Sequence, residues 1–281
     1  MLPPSPIHPS LQKSPAWQPQ SVPPASQGTD SADLLSSCQT CLEALFVQRL
    51  RLRPVPVPAT LAQARGMLRG SLVQMSTQRL CGAGFSSLTV AQIADQQGRP
   101  CSWTVVGLPQ PEAGLPILGM DLIALQDRLS LVALDLAPTD RQSWEADCAP
   151  ILARLHQQTQ RVLIPRKRPE FAVDTFSSLA VIAGLRSGGE DALLGALVDF
   201  LQQTSDLWLS KQTNGPPVRR SQLDTGPQIR RWLLAEQRNR KEHNALAMIF
   251  GAEFAAHYLH DFLFAVPKEE SGTSRHIHTE P

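Results

Sequence analysis

The sequence predicts an α+β layered domain, and three observations support that class. Apolar and polar residues alternate through the middle of the chain, from about residue 69 to residue 138, with the two-residue period of half-buried strands. Stretches with the wider spacing of helices stand before and after this block. The chain has 281 residues, 42% of them hydrophobic, which is enough apolar material for a sizeable core. Strands grouped in the middle with helices on either side build layers.

Each element follows in chain order. Residues 1–30 are rich in Pro, Ser and Gln and show no apolar period, a composition that cannot repay its ordering entropy, so they are expected to form a disordered extension. The segment is poor in acidic residues, as transit peptides are, but poor in arginine as well, and a simple extension is favoured. From Ser31 to Arg51 the apolar residues recur at helical spacing after a capping serine, and "RPVPVP" ends that helix. The run from Arg69 to Leu108, broken at Gly and at Gly-Arg-Pro, reads as two or three antiparallel strands, and "RLSLVALDLAP", residues 128–138, as another. Trp144 to Gln160 looks helical, "TFSSLAVIAGL" reads as a buried strand, and a helix runs from Glu190 to Ser205 after a Gly-Gly break. The last helices are expected from about Gln228 to His243 and from Asn244 to Phe264, with Gly251 dividing the second. The folded domain thus spans 31–267, with a disordered tail over 268–281.

Composition narrows the function classes. With 26 basic and 25 acidic residues the net charge is +1, so no overall field draws the chain to nucleic acid or to a membrane surface, and a charged partner must be met by a local patch. No apolar run reaches the roughly 20 residues of a membrane span, and the N-terminus lacks a secretory signal, which predicts an intracellular or organellar protein. Five cysteines are an odd number and fit a reducing compartment rather than a disulfide framework. Cys38 and Cys41 form a lone Cys-x-x-Cys pair with no second pair, and His243, His257 and His260 read as polar positions on the last helices, so no metal is expected.

The stretch "GLPQPEAGLPILGMDLIAL", residues 107–125, is the least regular part of the strand block. Its prolines make it a poor helix and a broken strand, yet it carries one carboxylate, Asp121, into otherwise apolar sequence. That acid either caps a turn at the surface or points into a pocket.

Within this stretch "PQPEAGLPILGMD" resembles the Pro-x-Pro-Glu-x-x-Leu-Pro-x-x-Gly-x-Asp segment of the ferredoxin-dependent bilin reductases. The likeness continues in "VALDLAP", which puts Asp135 on a family aspartate, in "RKRPEF" followed by "TFSS", and in "ALAMIFGAEFAAHYLHDFLF", similar to the family's closing helix. Upstream, "LRGSLVQMSTQRLCGAGFSSLTV" is similar to the first hairpin, so the resemblance runs from about Leu50 to Val266. It implies a three-layer α/β/α sandwich with a central antiparallel sheet flanked by helices. It also implies reduction of a linear tetrapyrrole, biliverdin IXα or a dihydrobiliverdin, to a phycobilin. Reduced ferredoxin would be the external electron donor, with no redox cofactor bound by the chain. On that resemblance Asp121 is a catalytic proton donor with Thr104 beside it, and Arg166, Lys167, Lys241 and Asp135 contact the bilin.

The pattern departs from the family where protons are handled. Thr104 stands seventeen residues before Asp121, where one branch carries a catalytic histidine and others an asparagine. A family glutamate falls at Ala91 or Gln92, and a C-terminal aspartate at Arg240. These absences keep two alternatives open: a non-catalytic bilin-binding carrier, and an enzyme like red chlorophyll catabolite reductase. The resemblance further implies a monomer in a photosynthetic cell, cytoplasmic as in a cyanobacterium or else plastidic, working beside heme oxygenase or a bilin-accepting protein. Arg166, Lys167 and Arg168, with Arg219, Arg220, Arg230 and Arg231, would supply a basic patch for an acidic ferredoxin.

Overall fold

The computed structural model describes residues 29–125, 128–214 and 225–267. Most of the N-terminal extension, the C-terminal tail, Arg219 and Arg220 lie outside them. Helix α1 (Ser31–Leu42) opens the domain, capped by Asp30, whose side chain accepts from the Asp33 amide, and it continues as a π-helical turn over Glu43–Gln48. Strand β1 (Arg53–Val55), the short helix α2 (Ala59–Ala62) and strands β2 (Gln63–Leu68), β3 (Ser71–Gly82), β4 (Phe85–Asp95), β5 (Pro100–Pro109), β6 (Ile117–Leu125) and β7 (Arg128–Ala137) follow. Then come α3 (Arg141–Asp147), α4 (Ala149–Thr159), β8 (Leu163–Pro165), β9 (Val181–Leu185) and the long α5 (Glu190–Asn214). The chain closes with α6 (Gly226–Glu236), α7 (Arg240–Phe250) and α8 (Ala252–Ala256), the last running on as π-helix over His257–Leu263.

The nine strands form one sheet in the order β1-β3-β4-β5-β6-β7-β9-β8, with β2 also paired to β3. Every pairing is antiparallel. At the far edge β8 is three residues long, ends in Pro165 and runs directly into Arg166, Lys167 and Arg168.

Alternation sends side chains to two unlike faces. One face carries Trp103, Val105, Leu118, Met120, Leu122, Leu134 and Leu136, which pack under α1, α4 and α5 in a continuous apolar cluster. Its centre is aromatic: Phe85 stacks on Trp208 of α5 at 4.9 Å between ring centroids, with Phe46 tilted against both. The other face carries Met75, Ala91, Val106, Ile117 and Ala137 and meets Ile229, Trp232 and Leu233 of α6 and Tyr258, Leu259 and Phe262 of the closing helix. Helices on both sides of the sheet make the three-layer α/β/α sandwich implied by the resemblance.

Elements differ from the sequence reading mostly at their ends. The stretch from Arg69 to Leu108 holds the three strands β3, β4 and β5, as expected, and β2, which lies before it, adds a further strand that pairs along its whole length with β3. The expected strand "TFSSLAVIAGL" is strand only from Val181. The Ser177 amide and hydroxyl are instead taken by Asp135, which holds "TFSS" as a turn. Helix α5 runs to Asn214 rather than Ser205. The break between the last helices falls at residues 237–239, where Asn239 caps α7 by accepting from the Glu242 amide at 3.4 Å.

The proline-rich stretch forms the β5–β6 connection, with a 3₁₀ turn at Pro111–Ala113. Its carbonyls hold other elements in place. Pro111 O accepts from the Thr225 hydroxyl at 2.7 Å and from its amide at 3.3 Å, which seats the start of α6, and Leu115 O accepts from Thr139 at 2.7 Å.

The helical layer over the second face is clamped at β2 and β3. Arg79 donates from Nη2 to the carbonyl of Phe262 at 2.8 Å and from Nε to Thr89 at 3.2 Å, with its guanidinium 3.7 Å from the centre of the Phe262 ring. Glycine at position 66 allows α7 to approach, since a Cβ there would lie 2.2 Å from the carbonyl oxygen of Ile249 and 2.7 Å from the Phe250 ring. Gly66→Ala is therefore expected to force α7 away from β2 and to lower stability by about 1–3 kcal/mol, the usual cost of overpacking. A denaturant melt with the midpoint of the wild type would show that α7 yields without cost.

Candidate active site

Strand register lays a row of small and polar side chains across the second face. Thr77 pairs with Ala91, Ala91 with Thr104, Thr104 with Asp121, and Asp121 with Ala133. The neighbouring row reads Arg79, Thr89, Val106, Gly119 and Asp135. Alanine and glycine at the central positions leave a shallow trough in the sheet where large residues would fill the interlayer space.

Asp121 lies in this trough, half-buried beside half-buried Thr104. The Thr104 hydroxyl donates to Asp121 Oδ1 at 2.9 Å. Burial pushes the Asp121 carboxyl up from the ordinary 3.8 to about 6, with the Thr104 bond opposing that rise. Over the trough, Trp232 of α6 sets its ring edge at Cζ2 about 4.0 Å from where a Gly119 side chain would begin. Its Nε1 is buried and has no hydrogen-bond partner among the described residues, an arrangement that costs free energy unless something else accepts from it.

The helix layer adds two carboxylates that the sequence reading passed over. Glu236 stands one turn beyond Trp232 on α6 and is buried. Burial first, then the charges of Glu242, Asp121 and Asp135, raise its carboxyl well above the ordinary range. Glu242 of α7 accepts from Asn239 Nδ2 at 3.1 Å. Burial and then the charge of Asp121 push it up to about 8, against the Asn239 bond. Asn-x-x-Glu at a helix start reads in sequence as a capping pair and nothing more. The one available signal was Glu236 at the end of the apolar run "WLLA".

The remaining expected residues are spread around this centre. Asp135 is buried, accepts from the Ser177 amide at 2.8 Å and hydroxyl at 2.5 Å, and is raised to about 6 by burial, with those bonds and then Arg168 opposing. Arg168 donates to the carbonyl of Ser177 at 2.6 Å, so Asp135, Ser177 and Arg168 tie the "TFSS" turn to β7. Arg166 lies at the sheet edge, its guanidinium about 3.2 Å from where a side chain on Gly184 would begin. Gly184 pairs with Ile164 on β8. Lys167 is exposed in the loop after β8, and Lys241 is exposed in the first turn of α7 beside Glu242. At the other end of the row, the Tyr258 and Thr77 hydroxyls meet at 3.3 Å. Arg230 and Arg231, with Arg238 and His260, line an open surface depression of about 640 Å³ on α6. His257 pairs with Asp261 at 3.1 Å on the exposed side of the closing helix.

In chemical terms the space between the sheet and the C-terminal helices gathers carboxyls whose proton affinity burial raises. Fold and site together define a three-layer α/β/α protein that gathers protonatable acids between its sheet and its C-terminal helices. Residues 39–265 match the family model "Ferredoxin-dependent bilin reductase", and the chain belongs to that family of oxidoreductases. Its relatives include the phycocyanobilin:ferredoxin oxidoreductase of Trichodesmium erythraeum, 23% identical over 252 residues, covering 86% of this chain and 97% of the relative. The enzyme of the same name from Synechococcus elongatus is 26% identical over 242 residues, covering 84% and 94%. Among solved structures, phytochromobilin synthase from tomato in complex with biliverdin shares the fold with a TM-score of 0.65 at 16% identity, over 80% of each chain. Among the described residues no helix is long and apolar enough to cross a membrane.

The raised carboxyl of Asp121 makes a stability prediction. Unfolded, the side chain loses its proton near pH 3.8, whereas folded it holds it to about 6. The folded state thus loses relative stability as pH rises through that window. Asp121→Asn, which has no proton to lose, is expected to match the wild type below about pH 4 and to exceed it by on the order of 1–3 kcal/mol at pH 7. Urea melts across pH 4 to 8 check this, and parallel curves would mean that Asp121 is solvated.

Proposed function

We propose that this chain catalyses the ferredoxin-dependent reduction of a linear tetrapyrrole, biliverdin IXα or a dihydrobiliverdin, to a phycobilin. The observation that carries the reading is the Thr104–Asp121 pair, 2.9 Å apart in a trough between sheet and helices. Reduction of one double bond takes two electrons and two protons. The electrons arrive singly from two reduced ferredoxins, each of which is oxidised, and the protein supplies protons to chosen carbons of the bilin. Asp121 is the donor on the sheet side, protonated in part near neutral pH because it is buried. Thr104 orients its carboxyl and has no proton of its own to give at that pH.

Binding of the bilin is assigned to cations at the rim. Arg166, Lys167 and Lys241 pair with its two propionates, Arg166 as a planar fork and the lysines as point charges. Asp135 acts from the floor of the trough and, with Ser177, keeps the Arg168 loop in place. The chain works without a bound redox cofactor and as a monomer. Ferredoxin docks on the basic ground around Arg230 and Arg231, which the depression on α6 supports. The setting is the cytoplasm of a cyanobacterium-like cell, or a plastid. There heme oxygenase supplies the substrate and a bilin-accepting protein takes the product.

The missing family acids at Ala91 and Arg240 favour a second reading, a carrier that binds bilin without reducing it. Anaerobic incubation with biliverdin, ferredoxin and a reducing system separates the two. The enzyme is expected to bind biliverdin one to one at or below tens of micromolar and to convert it to a reduced bilin seen by absorbance and chromatography. The carrier would give only the binding spectrum. In Asp121→Asn, binding is expected to persist while conversion falls by roughly 10² to 10⁴, the usual contribution of a general acid, with a bilin radical accumulating in the EPR spectrum. A loss below tenfold would remove Asp121 from the chemistry.

A further inference from the structure

We propose that Trp232 of α6 is a ligand-positioning residue of the cleft, whose indole N–H donates to a lactam carbonyl oxygen of the bound tetrapyrrole and so sets which part of it lies over Asp121. This inference rests on the reading above that a linear tetrapyrrole occupies the cleft, and it adds an interior contact to the cations assigned at the rim.

The local fold aims this side chain at the trough. Thr225, at the start of α6, is held by its hydroxyl and amide to the carbonyl of Pro111 in the β5–β6 connection. Trp232 follows two helical turns later and on the same face of α6. Phe264 fixes the ring from the closing helix in a T-shaped contact at 5.8 Å. The ring's Cζ2 comes to 4.0 Å from a Cβ built on Gly119. Cζ2 and Nε1 are bonded to the same ring carbon, so the N–H belongs to the edge turned to the sheet. Gly119 and Asp121 share one face of β6, roughly 7 Å apart along the strand, which is the width of one lactam ring with its substituents.

An unpartnered indole N–H is not by itself the mark of a ligand, since among the described residues Trp103 and Trp208 have one too. Their setting differs. Both are fully buried in the apolar cluster under α1, α4 and α5, where large side chains such as Phe85 and Phe46 fill the space around them. Trp232 is buried as well, yet the sheet residues it faces are not closed in. Gly119, Thr104 and Asp121 stay half-buried although the second helix layer covers this face, so sheet and helices leave room between them there. Of the three indoles, only that of Trp232 borders such room. A donor desolvated at its edge costs free energy until an acceptor enters.

The surroundings select the kind of acceptor. A carboxylate brought to this buried N–H would lose its hydration and approach two further carboxyls, Asp121 on the sheet and Glu236 one turn beyond Trp232. A neutral carbonyl meets neither cost. The exposed Arg166, Lys167 and Lys241 suit the propionates instead. The oxygens that remain on a linear tetrapyrrole are the lactam carbonyls of its two end rings. With one of them on Trp232, an end ring lies across Gly119 and its carbons come beside Asp121 and Thr104. Trp232 thus fixes which carbons the acid can reach while exchanging no proton itself.

The test removes the N–H and keeps the ring. In the full chain, Trp232→benzothienylalanine, introduced at that site alone, puts sulfur in place of the N–H at nearly the same shape. Trp232→Phe is the second variant should that protein fail to fold. Each is titrated by visible absorbance with biliverdin and with its dimethyl ester, which keeps the lactam carbonyls and lacks the propionate charges. Both variants are expected to bind either ligand about tenfold more weakly than the wild type, the loss when a buried carbonyl is left without its donor. In magnetic resonance spectra of protein with isotope-labelled indole nitrogens, the signal missing from Trp232→Phe should move downfield on adding biliverdin to the wild type, and further than any other indole signal. A loss under about threefold for both ligands, or an indole signal that stays in place, overturns the proposal and leaves the ring as packing alone. A loss with biliverdin but not with the ester assigns the N–H to a propionate and overturns the lactam contact. A wild type that binds no biliverdin refutes the tetrapyrrole reading, and this contact with it. A wild type that binds beside indifferent variants refutes this inference alone.

Discussion

The pairing of Thr104 with Asp121 across β5 and β6 is the constraint on which the cleft depends. Because strand residues alternate, this one register decides which side chains share a face with Asp121 and which pack under α1 and α5. A slip of one residue would turn Trp103, Val105, Met120 and Leu122 toward the cleft and drive the acid into the apolar cluster. The register is protected from that slip by unequal partners. One face is filled by large aliphatic and aromatic groups that have no other place to go, and the other tolerates alanine, glycine and acids because a second helix layer covers it.

That cover works against the acids it shelters. Taking Asp121, Glu236 and Glu242 out of water raises all three carboxyls, and each raised acid stabilises the fold less at neutral pH than a neutral residue of its size would. The fold compensates on its far face and at its clamps. The Phe46, Phe85 and Trp208 cluster packs the far face, and Arg79 together with the close approach at Gly66 fixes the helix layer from the side. These raised carboxyls are thereby set in a scaffold whose stability comes from elsewhere.

Much of this was legible in the sequence, and what was missed has a physical cause. The two-residue period around Thr104 and Asp121 declared the strands, and counting seventeen residues back from Asp121, to where the family carries another residue, led to Thr104, which the strand register sets opposite it. Strand ends and helix breaks were misread where side chains decide them: Ser177 is committed to Asp135, and Asn239 to the cap of α7. Glu236 and Glu242 escaped because a glutamate on a helix is nearly always a solvated residue. Only the packing of α6 and α7 on the sheet shows these two turned inward. Three positions where the family pattern carries a histidine or an acid hold Thr104, Ala91 or Gln92, and Arg240 instead. Carboxyls arriving from another layer leave no trace in such a count.

The short edge strand β8 bears on how the molecule behaves among its own copies. An exposed sheet edge is a template for a neighbour's strand, and three residues ending in proline, followed at once by Arg166, Lys167 and Arg168, make a poor one. The cations given to the bilin in the proposed reaction therefore also serve as gatekeepers against edge-to-edge aggregation. Two selective pressures fall on one tripeptide. A lineage that lost its ligand would still be held to basic residues there, so their persistence alone is poor evidence that the pocket is in use.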